Sequence, residues 1–339
     1  MEKISTIGID LAKSVFQVHG VDGKGEVVVR RALRRSKFLG WFAQLEPCLI
    51  GIEACATAHY WARELRKLGH DVRLIPPAYV KPYVRRNKSD VADAAAICEA
   101  VSRPSMRFVA IKGEQQQAMA GIHRVRDLLM KQHTMLINQV RGLMAEFGIV
   151  VAKGVPNVRE LLAVLADPND HRLPELMRSG LLATTEVLRR IDREIEAIDK
   201  QLVASGRQDA SYRHLITIPG YGPIISSAMT AMVVDPGAFR RPGDFAASLG
   251  LVPRQDGTGG KVKLGPISKR GNGYLRRLLV NGAMAVIRGK RAKQDPWLAK
   301  LLATKPRKVA AVALANKMAR IGWALMVRQE DFRRQPAAA

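Results

Sequence analysis

A chain of 339 residues, 47% apolar and 25% charged, is long enough to bury more than one core, which excludes a disordered tail. Its 55 Lys plus Arg against 30 Asp plus Glu leave a formal net charge of +25, so its expected partner is a polyanion. From Arg240 to Ala339, 22 basic residues stand against 5 acidic ones, and that excess of 17 places the main grip on nucleic acid in the C-terminal third.

The first hundred residues read as α/β. Ile4 to Asp10 alternates with period two and ends on an acid. Val15 to Val21 follows, turns through Asp22-Gly23-Lys24-Gly25 and returns as Glu26 to Val29, which makes three antiparallel strands in succession. A short apolar run, Cys48 to Ile52, closes on Glu53. A helix is expected from His59 to Leu68, stopped by Gly69, and Val72 to Ile75 forms the next strand before Pro76-Pro77. The order βββαβ, with acids ending strands one and four, is that of a ribonuclease H-like fold.

Asp90 and Asp93 fall in the run Asp90-Val91-Ala92-Asp93-Ala94-Ala95-Ala96-Ile97, which reads as a helix. Their i, i+3 spacing sets both carboxylates on one face, able to converge with Asp10 and Glu53 at the strand ends. Lys88, just ahead of them, is placed to offset their repulsion or to touch a phosphate. Acids gathered in so basic a chain are most economically ligands for divalent metal beside a phosphate backbone. Four suffice for two Mg²⁺ ions, which polarise a scissile phosphate and stabilise the attacking and leaving oxygens. Each acid also has a plainer reading: an Asp at a strand end is commonly a turn or cap residue, and Asp90 suits a helix N-cap with Asp93 in the first turn.

Ile122, Val125, Leu129, Leu136, Val140, Leu143 and Phe147 recur at threes and fours and predict a helix packed against the sheet. Beyond Pro156, Pro168 and Pro174, the residues Leu181, Thr184, Leu188, Ile191, Ile195, Ile198 and Leu202 keep heptad spacing. Three heptads predict a coiled coil and therefore self-association, the alternative being a helical hairpin within this chain. Pro219-Gly220-Tyr221-Gly222-Pro223, leading into a helix of small residues from Ile224, reads as a helix-hairpin-helix whose backbone N–H groups at Gly220 and Gly222 bind DNA phosphate without reading sequence. Residues 250–272 are dense in glycine, which admits a ligand close to the backbone. Arg254, Lys261, Lys263, Lys269, Arg270, Arg276 and Arg277 supply phosphate partners there and just beyond. Thr258 is the hydroxyl inside the glycine cluster, set there for chemistry or for turn geometry.

Cys48, Cys55 and Cys98 form no CxxC pair and leave an odd count, so neither a disulfide framework nor a zinc site is expected and a reducing cytoplasm fits. The N-terminus lacks the basic-then-apolar pattern of a signal peptide, and the apolar stretch from Val309 to Val327 is interrupted by Asn316, Lys317 and Arg320, so no membrane partner is expected.

The stretches Gly8-Ile9-Asp10-Leu11-Ala12-Lys13, Ile52-Glu53-Ala54-Cys55, Ala58-His59-Tyr60-Trp61, Leu74-Ile75-Pro76-Pro77, Asn87-Lys88-Ser89-Asp90-Val91-Ala92-Asp93-Ala94 and Ile267-Ser268-Lys269-Arg270-Gly271 span nearly the whole chain. With them the chain resembles the IS110/IS1111 family of transposases, the DEDD recombinases of insertion sequences, and most closely the IS1111 group. The resemblance implies a RuvC-like catalytic domain over residues 1–150 holding the tetrad Asp10, Glu53, Asp90 and Asp93, a coiled-coil linker over 151–206, and a mainly α C-terminal transposase domain over 207–339. It implies a structured guide RNA, encoded by the element, that pairs with donor and target DNA, so that sequence choice passes to base pairing. It also implies a dimer or dimer of dimers working in the bacterial cytoplasm at the nucleoid. Family members of this kind use a C-terminal serine that forms a covalent phosphoserine. Here that position is Gly257, and the resemblance carries the nucleophile to the neighbouring Thr258.

Two other functions stay open at this point. One is a RuvC-like junction nuclease in which metal-activated water attacks and no adduct forms, a reading that Gly257 favours. The other is a non-catalytic protein that bridges RNA and DNA, which the retention of four acids opposes.

Overall fold

The computed structural model describes residues 3–84, 89–152, 154–259, 261–290, 292 and 295–333. The chain divides into two compact units, Met1–Gln115 and Gln116–Ala339.

Unit 1 is built on a sheet of five strands, β1 (Thr6–Asp10), β2 (Val15–Val21), β3 (Val27–Arg34), β4 (Leu49–Glu53) and β5 (Asp71–Ile75), in the order β3-β2-β1-β4-β5. The first three form an antiparallel meander, while β4 and β5 continue the sheet parallel to β1. The strands and their terminal acids fall where the sequence pattern puts them, and β3 runs on to Arg34, past its expected end at Val29.

Alternation then sorts the two faces. Ile7, Ile9, Ile50 and Ile52 point into a fully buried core shared with Phe16, Phe38, Phe42 and Trp61, under α1 (Phe38–Phe42) and α2 (Ala58–Lys67). The Phe16 and Trp61 rings meet edge to face, 5.1 Å between centroids, a geometry that adds to their burial. The chain continues through the short α3 (Pro77–Val80) into α4 (Asp90–Val101), which covers the other face. There Gly8 pairs with Gly51 across the parallel ladder. A Cβ on Gly8 would lie 2.7 Å from Cys98 Cα, and one on Gly51 would lie 2.7 Å from Val101 Cβ. The two glycines therefore let the α4 backbone rest directly on the strands.

Unit 2 takes in nearly all of α5 (Glu114–Ala145), then α6 (Val155–Ala166) and α7 (Glu175–Gly206). The sequence predicts α5 against the sheet, and within its own unit α5 has another apolar partner. Val140 and Met144 of α5 join Leu161 and Leu165 of α6 and Leu181 and Leu188 of α7 in one buried cluster. Arg126 pairs with Asp199, and His133 lies 3.1 Å from Asp192, so α5 and α7 run antiparallel. Leu181 and Leu188 of the heptad seam are thus buried within their own unit, while Thr184, Ile195 and Ile198 are half-buried: periodicity specifies an apolar stripe and leaves open what covers it. The buried Arg178 of α7 donates to the carbonyls of Leu165 at 2.8 Å and Asp167 at 2.7 Å, satisfying the C-terminal end of α6.

The rest of unit 2 packs α8 (Ala210–Leu215), α9 (Pro223–Met232), α10 (Pro242–Ser248), α11 (Gly273–Arg288), α12 (Pro296–Thr304) and α13 (Arg307–Arg328) around one core. By length and composition α13 could cross a membrane, but half of its apolar window is buried against neighbouring helices, among them α10, α11 and α12. Between α10 and α11 in sequence lies a hairpin that the glycine-rich reading did not anticipate, β6 (Pro253–Thr258) and β7 (Lys261–Ile267), with Val262 and Leu264 exposed. His123 of α5 is fully buried and hydrogen-bonded to the Ser227 hydroxyl of α9 at 3.1 Å and the Tyr274 hydroxyl of α11 at 3.0 Å.

Candidate metal centre and basic surface

Asp10 follows Gly8 by two residues on β1, and Glu53 follows Gly51 by two on β4, so both acids belong to the face that α4 covers. The helix supplies the rest. Ala94, Ile97, Cys98 and Val101 form its buried stripe, and Asp90 and Asp93 extend that stripe by one turn past the end of the strands. As a result, carboxylate oxygens of Asp10, Asp90 and Asp93 lie within 4.8 Å of one another. Glu53, at the end of the adjacent strand, stands outside that close group and is half-buried. Burial, then the charges of Glu53 and Asp10, push the Cys55 thiol up from its ordinary value, which places both acids around it.

Ser89 is the N-cap of α4. Its hydroxyl accepts from the Ala92 N–H at 3.3 Å, so capping does not account for Asp90. The positive end of the helix offsets carboxylates in its first turn by about 0.3–1 kcal/mol each. The donors of the three gathered acids are all hard oxygens, and Asp90 is exposed, which leaves room for retained water. That set suits Mg²⁺ or a similar hard divalent cation. Lys88 lies outside the described residues.

In unit 2 the expected phosphate partners separate into two groups. Lys261, Lys263, Lys269 and Arg270 are exposed, and Arg254 is exposed with its guanidinium 3.6 Å from Asp256. Arg276 and Arg277 have internal partners: Arg276 donates to the Leu249 and Arg270 carbonyls, both at 2.9 Å, while Arg277 pairs with Asp127 and lies over the Tyr274 ring. Gly220, at φ +92°, packs so closely that a Cβ would come within 2.9 Å of Met318 and Val286 side-chain atoms, whereas Gly222 faces open space. Packing therefore explains Gly220 by itself. Thr258 ends β6, its side chain lies outside the described ones, and a Cβ on Gly257 would sit 3.1 Å from the Lys261 carbonyl. A cavity of about 1910 Å³ runs along α13 past Trp297, Lys317 and Arg320, but the acids are not among the residues that line it.

The DEDD transposase domain of the IS110 type matches residues 7–149, and the domain described as "Transposase IS116/IS110/IS902 family" matches residues 212–298. Over 334 residues the chain is 49% identical to a probable family 20 transposase of Pseudomonas aeruginosa, covering 97% of this chain and 99% of that one. It is 40% identical over 337 residues to the transposase for insertion sequence element IS1111A of Coxiella burnetii, covering 98% and 92%. The IS1328 transposase of Yersinia enterocolitica is 39% identical over 335 residues, covering 98% and 99%. The chain belongs to the IS110/IS1111 family of transposases. The transposase is thus a DNA-processing enzyme. Its first matched region contains Asp10, Glu53, Asp90 and Asp93, and its second contains Thr258 and the glycine-rich hairpin. A DEDD domain implies a divalent metal, and the oxygen donors of Asp10, Asp90 and Asp93 fit one.

The sequence reading missed Gly8, Gly51 and Ser89, which position these acids. A signal was present: both acid-bearing strands end in Gly-Ile-acid, and Ser89 immediately precedes the acidic helix.

Proposed function

We propose that this transposase is an RNA-guided, Mg²⁺-dependent DNA recombinase that cuts and rejoins strands through a hydroxyl of its C-terminal unit. The observation that carries the proposal is the convergence of Asp10, Asp90 and Asp93 within 4.8 Å at the strand ends of so basic a chain. Asp10, Glu53, Asp90 and Asp93 are the residues that would hold the metal, two ions when all four engage. Bound Mg²⁺ supplies charge neutralisation at the scissile phosphate, worth several kcal/mol of barrier. Thr258 Oγ1 attacks phosphorus, its proton passes to solvent, and the bond from phosphorus to one sugar oxygen breaks as that oxygen takes up a proton. A phosphothreonine link then conserves the bond energy until a strand end displaces Thr258.

The exposed Lys261, Lys263, Lys269 and Arg270, with Arg254, hold neighbouring phosphates, and the turn between α8 and α9 adds backbone contacts through a helix-hairpin-helix. Cations directed at backbone, in a chain with only 5% aromatic residues, suit an enzyme whose sequence choice lies in a guide RNA pairing with donor and target DNA. The working form is a dimer or dimer of dimers in the bacterial cytoplasm at the nucleoid, with Thr258 of one subunit serving the acids of another.

The test is purification from cells carrying the element, sequencing of the RNA that survives nuclease treatment, and assay of element DNA for a covalent protein adduct. A single protected RNA complementary to element ends and target, with an adduct that Thr258→Ala removes, is the expected result. Cutting without any adduct would replace this mechanism by the water-activated junction nuclease that Gly257 favours, and neither cutting nor adduct would leave an RNA/DNA-bridging protein.

A further inference from the structure

A second feature of unit 1 has the opposite charge to the metal centre. After Asp10 the chain passes through Leu11–Ser14 into β2, whose first residue, Val15, pairs with Arg34 at the end of β3. Lys13, Ser14, Val15, Arg34, Arg35 and Ser36 line the resulting notch, of about 480 Å³. It contains three cations and two hydroxyls and no acid. Arg35 is fixed: its guanidinium lies 5.1 Å from the centre of the Trp61 ring, and it donates to the Lys13 carbonyl at 3.3 Å. Its backbone N–H also donates to the Ser14 carbonyl at 2.9 Å. Lys13 and Arg34 line the notch with it, are exposed and form no ion pair among the described residues. Like charges held together by a preformed scaffold, with hydroxyls among the lining groups and no counter-charge among the described residues, make a site suited to an anion.

We propose that this notch binds a backbone phosphate of the DNA strand being cut, beside the scissile one. Lys13 follows Asp10 by three residues, a separation of at most about 11 Å between Cα atoms. That is roughly three nucleotide steps at about 3.4 Å of helix rise each. A strand whose scissile phosphate lies at the acids therefore passes within reach of Lys13 and Arg34. Arg35 and the two serines set the depth of the notch, and the two exposed cations, Lys13 and Arg34, close over the phosphate. Ground-state positioning of this kind fixes which phosphate reaches the metal.

The inference rests on the acids being a phosphodiester site, and its test is separable from that reading. Full-length protein is purified from cells carrying the element, with Asp10→Asn to prevent cutting. It is titrated with a duplex spanning one element end in which single phosphates of one strand are replaced by neutral methylphosphonates. We expect a window of one or two positions where neutralisation weakens binding by about threefold or more, and no such window with Lys13→Gln/Arg34→Gln, whose log-affinity against log-salt slope is shallower by about 1 to 2. Lys13→Arg/Arg34→Lys should restore the window, which separates charge from folding. Equal profiles in the presence and absence of the two cations, or loss of co-purified RNA from the double variant with DNA contacts unchanged, would overturn the proposal. Wild-type protein that fails to cut while the window persists would instead sink the catalytic reading and leave the phosphate site.

Discussion

Asp10 and Glu53 occupy equivalent ends of adjacent parallel strands, yet Asp10 belongs to the close group with Asp90 and Asp93 and Glu53 does not. Removing the charge at Asp10 or Asp93 should therefore be the more severe change. Asp10→Asn or Asp93→Asn is expected to lower strand cleavage by roughly 10³-fold or more, the loss of several kcal/mol at about 1.4 kcal/mol per decade, while nucleic-acid affinity measured in parallel stays nearly unchanged. His123 gives a prediction about stability. Burial, helped by nearby Arg126, lowers its pKa to about 4, so the folded protein keeps it neutral where the unfolded chain takes up a proton near pH 6.5. The unfolded state binds more protons between those values. The contribution of His123 is therefore complete above pH 6.5 and declines as pH falls toward 4, by about 2 kcal/mol at pH 5. Urea midpoints at pH 7 and pH 5 should show this decline, and His123→Gln should flatten it. The acids were legible in the sequence because each sits at a position its own strand or helix dictates. The internal roles of Arg276 and Arg277 were not, because the carbonyls and the carboxylate they meet are brought to them by tertiary structure alone.

The strands of unit 1 were legible for the same local reason: alternation, turn residues and an acid at each critical end. Contacts between elements were less so. Why α4 sits where it does depends on two missing side chains, and Gly8→Val should expose this. Its Cβ alone would overlap the backbone at Ala94 and Cys98, so the helix must lift from the sheet and carry Asp90 and Asp93 with it. The expected result is a loss of about 1–3 kcal/mol of stability, as for overpacking elsewhere, together with weakened Mn²⁺ binding by titration calorimetry. Unchanged metal affinity would show that α4 is placed by other contacts. On α7, Arg178→Met should cost about 1–3 kcal/mol by leaving the α6 carbonyls without their donor, detectable as a lower thermal midpoint. The β6–β7 hairpin escaped the sequence reading because its glycines pointed to a loop, while the alternation of Lys261 and Lys263 with Val262 and Leu264 was the strand signal beside them.

At the level of the whole chain, composition forecast the polyanion, and family matches over both parts of the chain agree with an enzyme that handles DNA. Within the second compact unit α5 buries Val140 and Met144 with residues of α6 and α7, a choice that periodicity alone leaves undetermined. β3 is the outer strand of the sheet next to β2, with Arg30, Arg31 and Arg34 exposed along it. An open strand edge offers unpaired peptide groups to any other extended chain, and lateral self-templating is the usual hazard. The arginines here repel a second copy of the same edge, so this charge also guards against aggregation. Variants made to weaken DNA contact at this edge should therefore carry glutamine or glutamate, because threonine or valine would remove the guard and supply a segment that readily stacks.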